Sequence, residues 1–274
     1  MQAQRLPAQR GTFWLLEGFR LFRRNPPFIT ALTLLYLLIV QSMAVLLPGI
    51  GPILLPLLLP ALTLIVANGC RLIDEGKRPG KDALLLGLVG NGTAMLRLGA
   101  LQLVGALLLV LINAVINDGV DPLISLDLST MPGEADAEGA ESTEGAANPV
   151  AEAAMLDAMM RLMLIAAPLI IAFWFAPFLV GWDRVSPFKA IFFSTVASWR
   201  NWRAMGMFGV AVIVLAGLVP GLILILASQI LGASVGVAFI AMRMMLIFLV
   251  APVLTASIYI SYRDIFHPRV DESV

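Results

Sequence analysis

Cys70 and His267 are the single thiol and the single imidazole in 274 residues, and they bound the chemistry available to the chain. One of each excludes a disulfide framework and most zinc, haem or Cys–His catalytic arrangements. Cys70 is followed by Arg71 but has no histidine near it in sequence, and His267, followed by Pro268, is a tail residue. HExxH, GxSxG and Walker signatures are all missing, so no enzymatic activity, cofactor or metal site is expected. What remains is arginine. Arg20, Arg23 and Arg24 cluster near the start, Arg200 and Arg203 form a second group, and Arg161 and Arg243 stand alone in apolar surroundings. Guanidinium groups beside apolar runs are suited to phosphate-bearing headgroups and acidic partners. These seven are the candidate anionic-lipid or partner contacts. The plainer reading makes the clusters simple anchors, with Arg161 and Arg243 snorkelling to headgroups.

The elements that must position these residues are membrane helices. Hydrophobic residues make up 59% of the chain and charged residues only 13%, with mean hydropathy +0.92, which excludes an ordinary soluble domain. A bilayer core of about 30 Å needs roughly 20 apolar residues in a helix. Residues 28–47, 53–70, 98–117 and 162–182 each supply a span, and 244–262 a last one. The charge-free stretch 204–242 is too long for one spanning helix, so six spans are expected with something extra between the fifth and sixth. That extra piece, about 222–242, reads either as a re-entrant or periplasmic extension or as a fifth helix kinked through Pro220. Pro48-Gly49-Ile50-Gly51-Pro52 marks a tight hairpin between the first two spans.

Basic residues orient such a bundle, because Lys and Arg are retained in cytoplasmic loops. Sixteen of the 18 fall in the N-terminal segment, the second-to-third and fourth-to-fifth connections and the C-terminus. Both termini are therefore expected in the cytoplasm. Eight acidic residues share that side, for a net +8. The other side, with two basic and ten acidic residues, carries −8. Glu17 and the early arginines interrupt any signal-peptide core, so the first helix is expected to be an uncleaved anchor.

Three segments between the spans read as interfacial amphipathic helices. In residues 12–24, Leu15, Leu16, Phe19 and Phe22 share one face, with Glu17, Arg20 and Arg24 on the other. In 187–203, Phe188, Phe192, Val196 and Trp199 line one side, and Lys189, Ser194, Ser198 and Asn201 fall mostly on the other. Residues 82–97 are a weaker version, interrupted by Gly90-Asn91-Gly92-Thr93. Each precedes a helical pair, suggesting a threefold internal repeat with units of about 12–73, 82–184 and 187–265. Pro60, Leu62, Thr63 and Arg71 recur at identical spacing as Pro252, Leu254, Thr255 and Arg263. The whole of 1–274 is read as a single integral membrane domain.

Residues 117–158 hold ten acidic residues and no basic one, and read as a disordered acidic periplasmic loop. A solvated spacer is the plain reading, and capture of cations or a basic partner the sharper one. No Asp or Glu falls inside an expected span, which lowers a coupled-transport reading. Pro60, Pro177 and Pro252 could kink the even-numbered helices and keep that reading open. Gln41, Asn68, Gln102, Asn113 and Thr255 are placed to hydrogen-bond between helices.

Gly11, Phe13-Trp14, Gly18, Leu21-Phe22 and Pro26, followed by the Pro/Gly-punctuated hairpin, form a pattern G-x-x-W then L-F-x-x-x-P. In this the chain resembles a family of uncharacterised proteobacterial polytopic inner-membrane proteins, the likeness covering the spans but not the acidic loop. The resemblance implies an inner-membrane location and carries no assigned activity, so no site residues transfer. The expectation is an all-α, polytopic membrane helical bundle in the bacterial inner membrane, without enzymatic activity. It is expected to serve as a scaffold, or to bind lipids or partners. The partners expected are membrane lipids, with protein partners or a homo-oligomer beside them and no nucleic acid. The alternative is a small transporter or channel for a solute or lipid.

Overall fold

The structure is a computed structural model that describes residues 3–116, 149–231 and 235–267. Among these the chain is helical and contains no strand. Most of the expected acidic loop, the turn near 232–234 and the tail from 268 lie outside the described residues. A first helix, α1 (Arg10–Arg24), ends at Asn25, where Pro26-Pro27 opens α2 (Pro26–Leu46). The Pro/Gly break then turns the chain into α3 (Gly51–Asp74), and α4 (Lys81–Leu84) follows as a single turn. Next come α5 (Gly92–Ile116), α6 (Pro149–Phe173), α7 (Ala176–Gly181) and α8 (Pro187–Arg200). The last hairpin comprises α9 (Trp202–Ile213), α10 (Val219–Leu231), α11 (Val235–Met245) and α12 (Ala251–Phe266).

Six helical stretches are long and apolar enough to cross a membrane: Pro26–Leu46, Gly51–Asp74, Gly92–Ile116, Met160–Gly181, Trp202–Ile230 and Gly236–Phe266. The protein is a multi-pass membrane bundle, as its hydropathy demands. The stretch between the fifth and sixth spans resolves in favour of a continuous fifth helix. Residues 202–231 are helical without interruption, passing through Pro220, and the sixth span starts earlier than expected. The extra length therefore extends both helices, with no re-entrant segment between them among the described residues. Each contains a π-helical turn, Val214–Leu218 and Val250-terminated Leu246–Val250, ending two residues before Pro220 and Pro252. Proline lacks the N–H that would bond back four residues, and the wider turn ahead of it takes up the missing bond.

The middle interfacial segment does not form the helix expected for 82–97. Only Lys81–Leu84 is helical there, residues 85–91 are turns, and 92–97 already belong to the third span. Gly87 and Gly90 adopt φ of 82° and 85°, a left-handed conformation that ends a helix.

Packing is concentrated at one end. α1 lies against α12 and α9, α3 packs on α2, α5, α7 and α12, and α8 closes over α6 and α7. Trp14, Leu64, Leu98, Phe178, Leu179 and Ile265 are buried together there. Toward the other end Val45, Leu46, Leu111, Val115, Ile225, Leu226 and Phe239 are exposed, so among the described residues the helices present apolar side chains at the surface. Such a surface suits hydrocarbon and not water.

Candidate functional site at the basic end of the bundle

The packed end is also where the charges meet, and it is built around Arg263. Its Nη1 donates to Asp74 Oδ2 at 2.9 Å, and its Nη2 to Glu17 Oε2 at 2.8 Å and Asp264 Oδ1 at 3.3 Å. Arg10 completes the set, with Nε on Asp264 Oδ2 at 2.8 Å and Nη2 on Glu17 Oε1 at 3.2 Å. The indole N–H of Trp14 donates to Asp264 at 3.1 Å, and the Tyr259 hydroxyl to Asp74 at 3.0 Å. Arg24 reaches Asp74 at 3.5 Å. Three carboxylates from α1, α3 and α12 thus meet three guanidiniums, which makes partial burial of the carboxylates tolerable. Asp74 is only 4% exposed and Arg263 14%.

This network corrects the expected face of α1. Glu17 does not point away with Arg20 and Arg24 but turns into the protein, and Leu15 and Phe22 are buried alongside Trp14 and Leu21. Phe13, Leu16 and Phe19 stay exposed, together with Arg20 and Arg23. Gly11 and Gly18 explain the contact. A side chain at Gly11 would overlap the backbone of Ala204, and one at Gly18 would overlap Ser257. The G-x-x-W pattern is therefore the docking face of α1.

α8 is oriented by the same economy. Ser194, Ser198 and Asn201 are on the buried side with Ala190 and Ala197. The Ser194 hydroxyl accepts the Phe175 N–H at 3.0 Å, satisfying a donor freed by the break between α6 and α7. Asn201 accepts the Leu6 N–H at 2.8 Å and donates to Gln4 O at 2.8 Å, tying the N-terminal segment to the α8–α9 junction. The aromatic side faces outward, with Phe188 74% and Trp199 77% exposed. Lys189, Arg200, Trp202 and Arg203 are exposed beside it, and the Arg203 guanidinium lies 5.5 Å from the Trp202 ring.

A cleft of about 510 Å³ opens between the 85–91 turns and the loop after α7, lined in part by Arg71, Gly87, Gly90, Asn91, Trp182 and Arg184. Its walls are pinned from below. Asn68, buried in the second span, donates to Leu84 O and Leu86 O, both at 2.8 Å, and accepts the Trp182 indole N–H at 2.7 Å. Asn91 donates to Val180 O at 2.8 Å. Arg71 lies 5.3 Å from the Trp182 ring and bonds Glu75 at 2.7 Å. Those bonds from Arg71, then Lys77, hold the Glu75 carboxyl below its ordinary pKa. Behind Trp182, the Tyr262 hydroxyl donates to Asp183, which also faces His267 at 3.2 Å.

Of the seven arginines singled out by sequence, the structure brings Arg20, Arg23, Arg24, Arg200 and Arg203 to the basic end. Arg24 alone of these turns toward the ion network, and Arg23 lies 6.0 Å from the Phe19 ring. Arg161 and Arg243 are far along the chain from that end. Arg161 stands at the start of the Met160–Gly181 span, and Arg243 lies inside the Gly236–Phe266 span, which begins earlier than expected. The sequence reading missed Arg71 and Arg184 as site residues and Asn68 as their support, although Asn68 carried the signal of a lone amide in an apolar span. Thr255 bonds across helices as expected, meeting Thr33 at 3.2 Å. Among the described residues no group of three His, Cys, Asp or Glu could hold a metal ion.

No protein-family model matches the chain. No solved structure matches it either. A probable inner membrane protein of Burkholderia thailandensis is 31% identical over 271 residues, which span 97% of this chain and 94% of that protein.

Proposed function

The chain belongs to the family of that Burkholderia inner membrane protein, and from this premise we propose that it is a non-enzymatic inner-membrane protein that gathers anionic lipids at its cytoplasmic face. Positive-inside retention supports placing the basic end and both termini in the cytoplasm. The observation that carries the reading is the outward pairing of aromatic and basic side chains around that end. Phe13, Leu16 and Phe19 stand beside Arg20 and Arg23, and Phe188, Phe192, Trp199 and Trp202 beside Lys189, Arg200 and Arg203. Rings at headgroup depth next to cations suit an anionic leaflet, where each cation near the surface contributes about 1 kcal/mol. Protein partners or a second copy would dock on the same face.

Charge reversal of Arg20, Arg23 and Arg24 tests it. The variant, purified in native lipid, is expected to lose co-purifying anionic lipid relative to zwitterionic lipid. An unchanged lipid and partner profile sinks the reading. The transporter or channel alternative draws support from the irregular backbone of the even-numbered spans, with Pro56 and Pro60 inside α3, the α6–α7 break before Pro177 and the π-helical turn before Pro252. Flux of lipid or solute in proteoliposomes above protein-free vesicles would favour it over a scaffold.

A further inference from the structure

We propose that the cleft between Arg71 and Arg184 is a discrete binding site for a phosphate ester group, distinct from the diffuse lipid contacts around it. Two guanidiniums line it, and no carboxylate does. Arg71 spends its Nε on Glu75, leaving both Nη groups without an ion pair among the described residues, and its plane is backed by Trp182. Arg184 has no carboxylate partner among the described residues. Asp183 beside it is turned away into Tyr262 and His267. Paired, planar forks of this kind match the oxygens of a phosphate, to which they donate charge-assisted bonds.

The cleft is preformed. Gly87 presses so close to Gly181 that a side chain there would meet its backbone, and Asn68 and Asn91 fix the surrounding carbonyls. Carbonyls held by side-chain amides are not free to collapse into the opening. Arg184 supplies the independent sign. Among the described residues it is the single non-glycine at positive φ, 52°, a conformation that costs free energy and persists where the surroundings enforce it. Glycine would adopt that conformation without the strain. An arginine held in that strained conformation, aimed at a cleft with a second arginine, is accounted for by an anion between them. A volume of about 510 Å³ suits a small polar group, and the cleft sits where α3 and α7 leave the membrane. The phosphate belongs either to a lipid headgroup or to a soluble ester.

The test uses full-length protein, with Arg184→Gly as the main variant because glycine relieves the strained φ while removing the guanidinium. Wild type in phosphatidylcholine nanodiscs is titrated with glycerol 3-phosphate by calorimetry. In parallel, nanodiscs doped with phosphatidic acid are scored by native mass spectrometry for retained lipid. Saturable binding in either arm that Arg184→Gly weakens about tenfold or more, at an equal or higher thermal midpoint, supports the site. Response in the first arm assigns a soluble ester and in the second a headgroup. The second variant, Arg71→Gln, is expected to weaken the same arm. Saturable binding in neither arm, or binding that both variants leave unchanged, overturns the proposal. The Arg20, Arg23 and Arg24 reversal is expected to leave this binding intact, which separates failure here from failure of the lipid-gathering reading.

Discussion

Arg263 stands where carboxylates from three helices converge, and its removal would leave Glu17, Asp74 and Asp264 facing one another. Breaking a buried ion pair from one side typically costs about 3–5 kcal/mol. Arg263→Ala is expected to lower stability by that order, read as the thermal midpoint in detergent. Arg263→Lys keeps the charge but loses the planar fork and should fall between. Glu75 offers a pH-dependent counterpart. Its carboxyl is held below the ordinary range by bonds from Arg71 and Lys77, so the pair is fully formed above the usual carboxylate pKa. The stabilisation is lost as pH falls through the depressed value. Glu75→Gln is expected to remove that acid-side loss and to free Arg71, strengthening phosphate-ester binding at neutral pH. Calorimetry with glycerol 3-phosphate at pH 7 checks it. Arg71 and Glu75 are adjacent on one helix turn and readable as a pair. Glu17, Asp74 and Arg263 are not, because the contact between them depends on how three distant helices dock.

Among the elements, α1 shows what periodicity can and cannot say. Its amphipathic spacing correctly marks a helix, but two of its sides are apolar, and spacing does not tell which meets protein. Gly11 and Gly18 decide, since the close approach to α9 and α12 requires small residues there, and Trp14 between them is fully buried. Gly18→Leu is expected to push α1 off α12 and cost about 1–3 kcal/mol as overpacking, visible as a lower midpoint and protease cleavage near residues 7–10. α8 gives the converse case. Its aromatic side makes no buried core, so Phe188→Ser with Trp199→Ser should leave stability within about 0.5 kcal/mol while reducing co-purifying lipid. The short α4 shows the remaining limit, since Gly87 and Gly90 end helical backbone where a weak periodicity continues.

For the whole molecule, the net charge of zero divides along the sequence into +8 in the segments expected in the cytoplasm and −8 in the remainder. The orientation this implies is testable with a membrane-impermeant maleimide, because Cys70 is buried and is the one native thiol. In intact spheroplasts Gln229→Cys, near the far end of α10, is expected to label and Gln9→Cys to label only after permeabilisation. The reverse pattern would place the termini outside. The fifth and sixth helices, of 29 and 31 residues, reach about 44–46 Å at 1.5 Å per residue, beyond a hydrocarbon core of about 30 Å. They therefore tilt or protrude. Hydropathy is a sum over neighbouring residues, and the membrane acts on each helix separately. The number of spans, their approximate limits and the charge asymmetry follow from the chain taken in order. The inward turn of Glu17, the outward aromatic side of α8 and the Arg71–Arg184 cleft do not. Each arises from residues tens to hundreds of positions apart, brought together by small residues that permit close approach and by buried polar groups that must be satisfied.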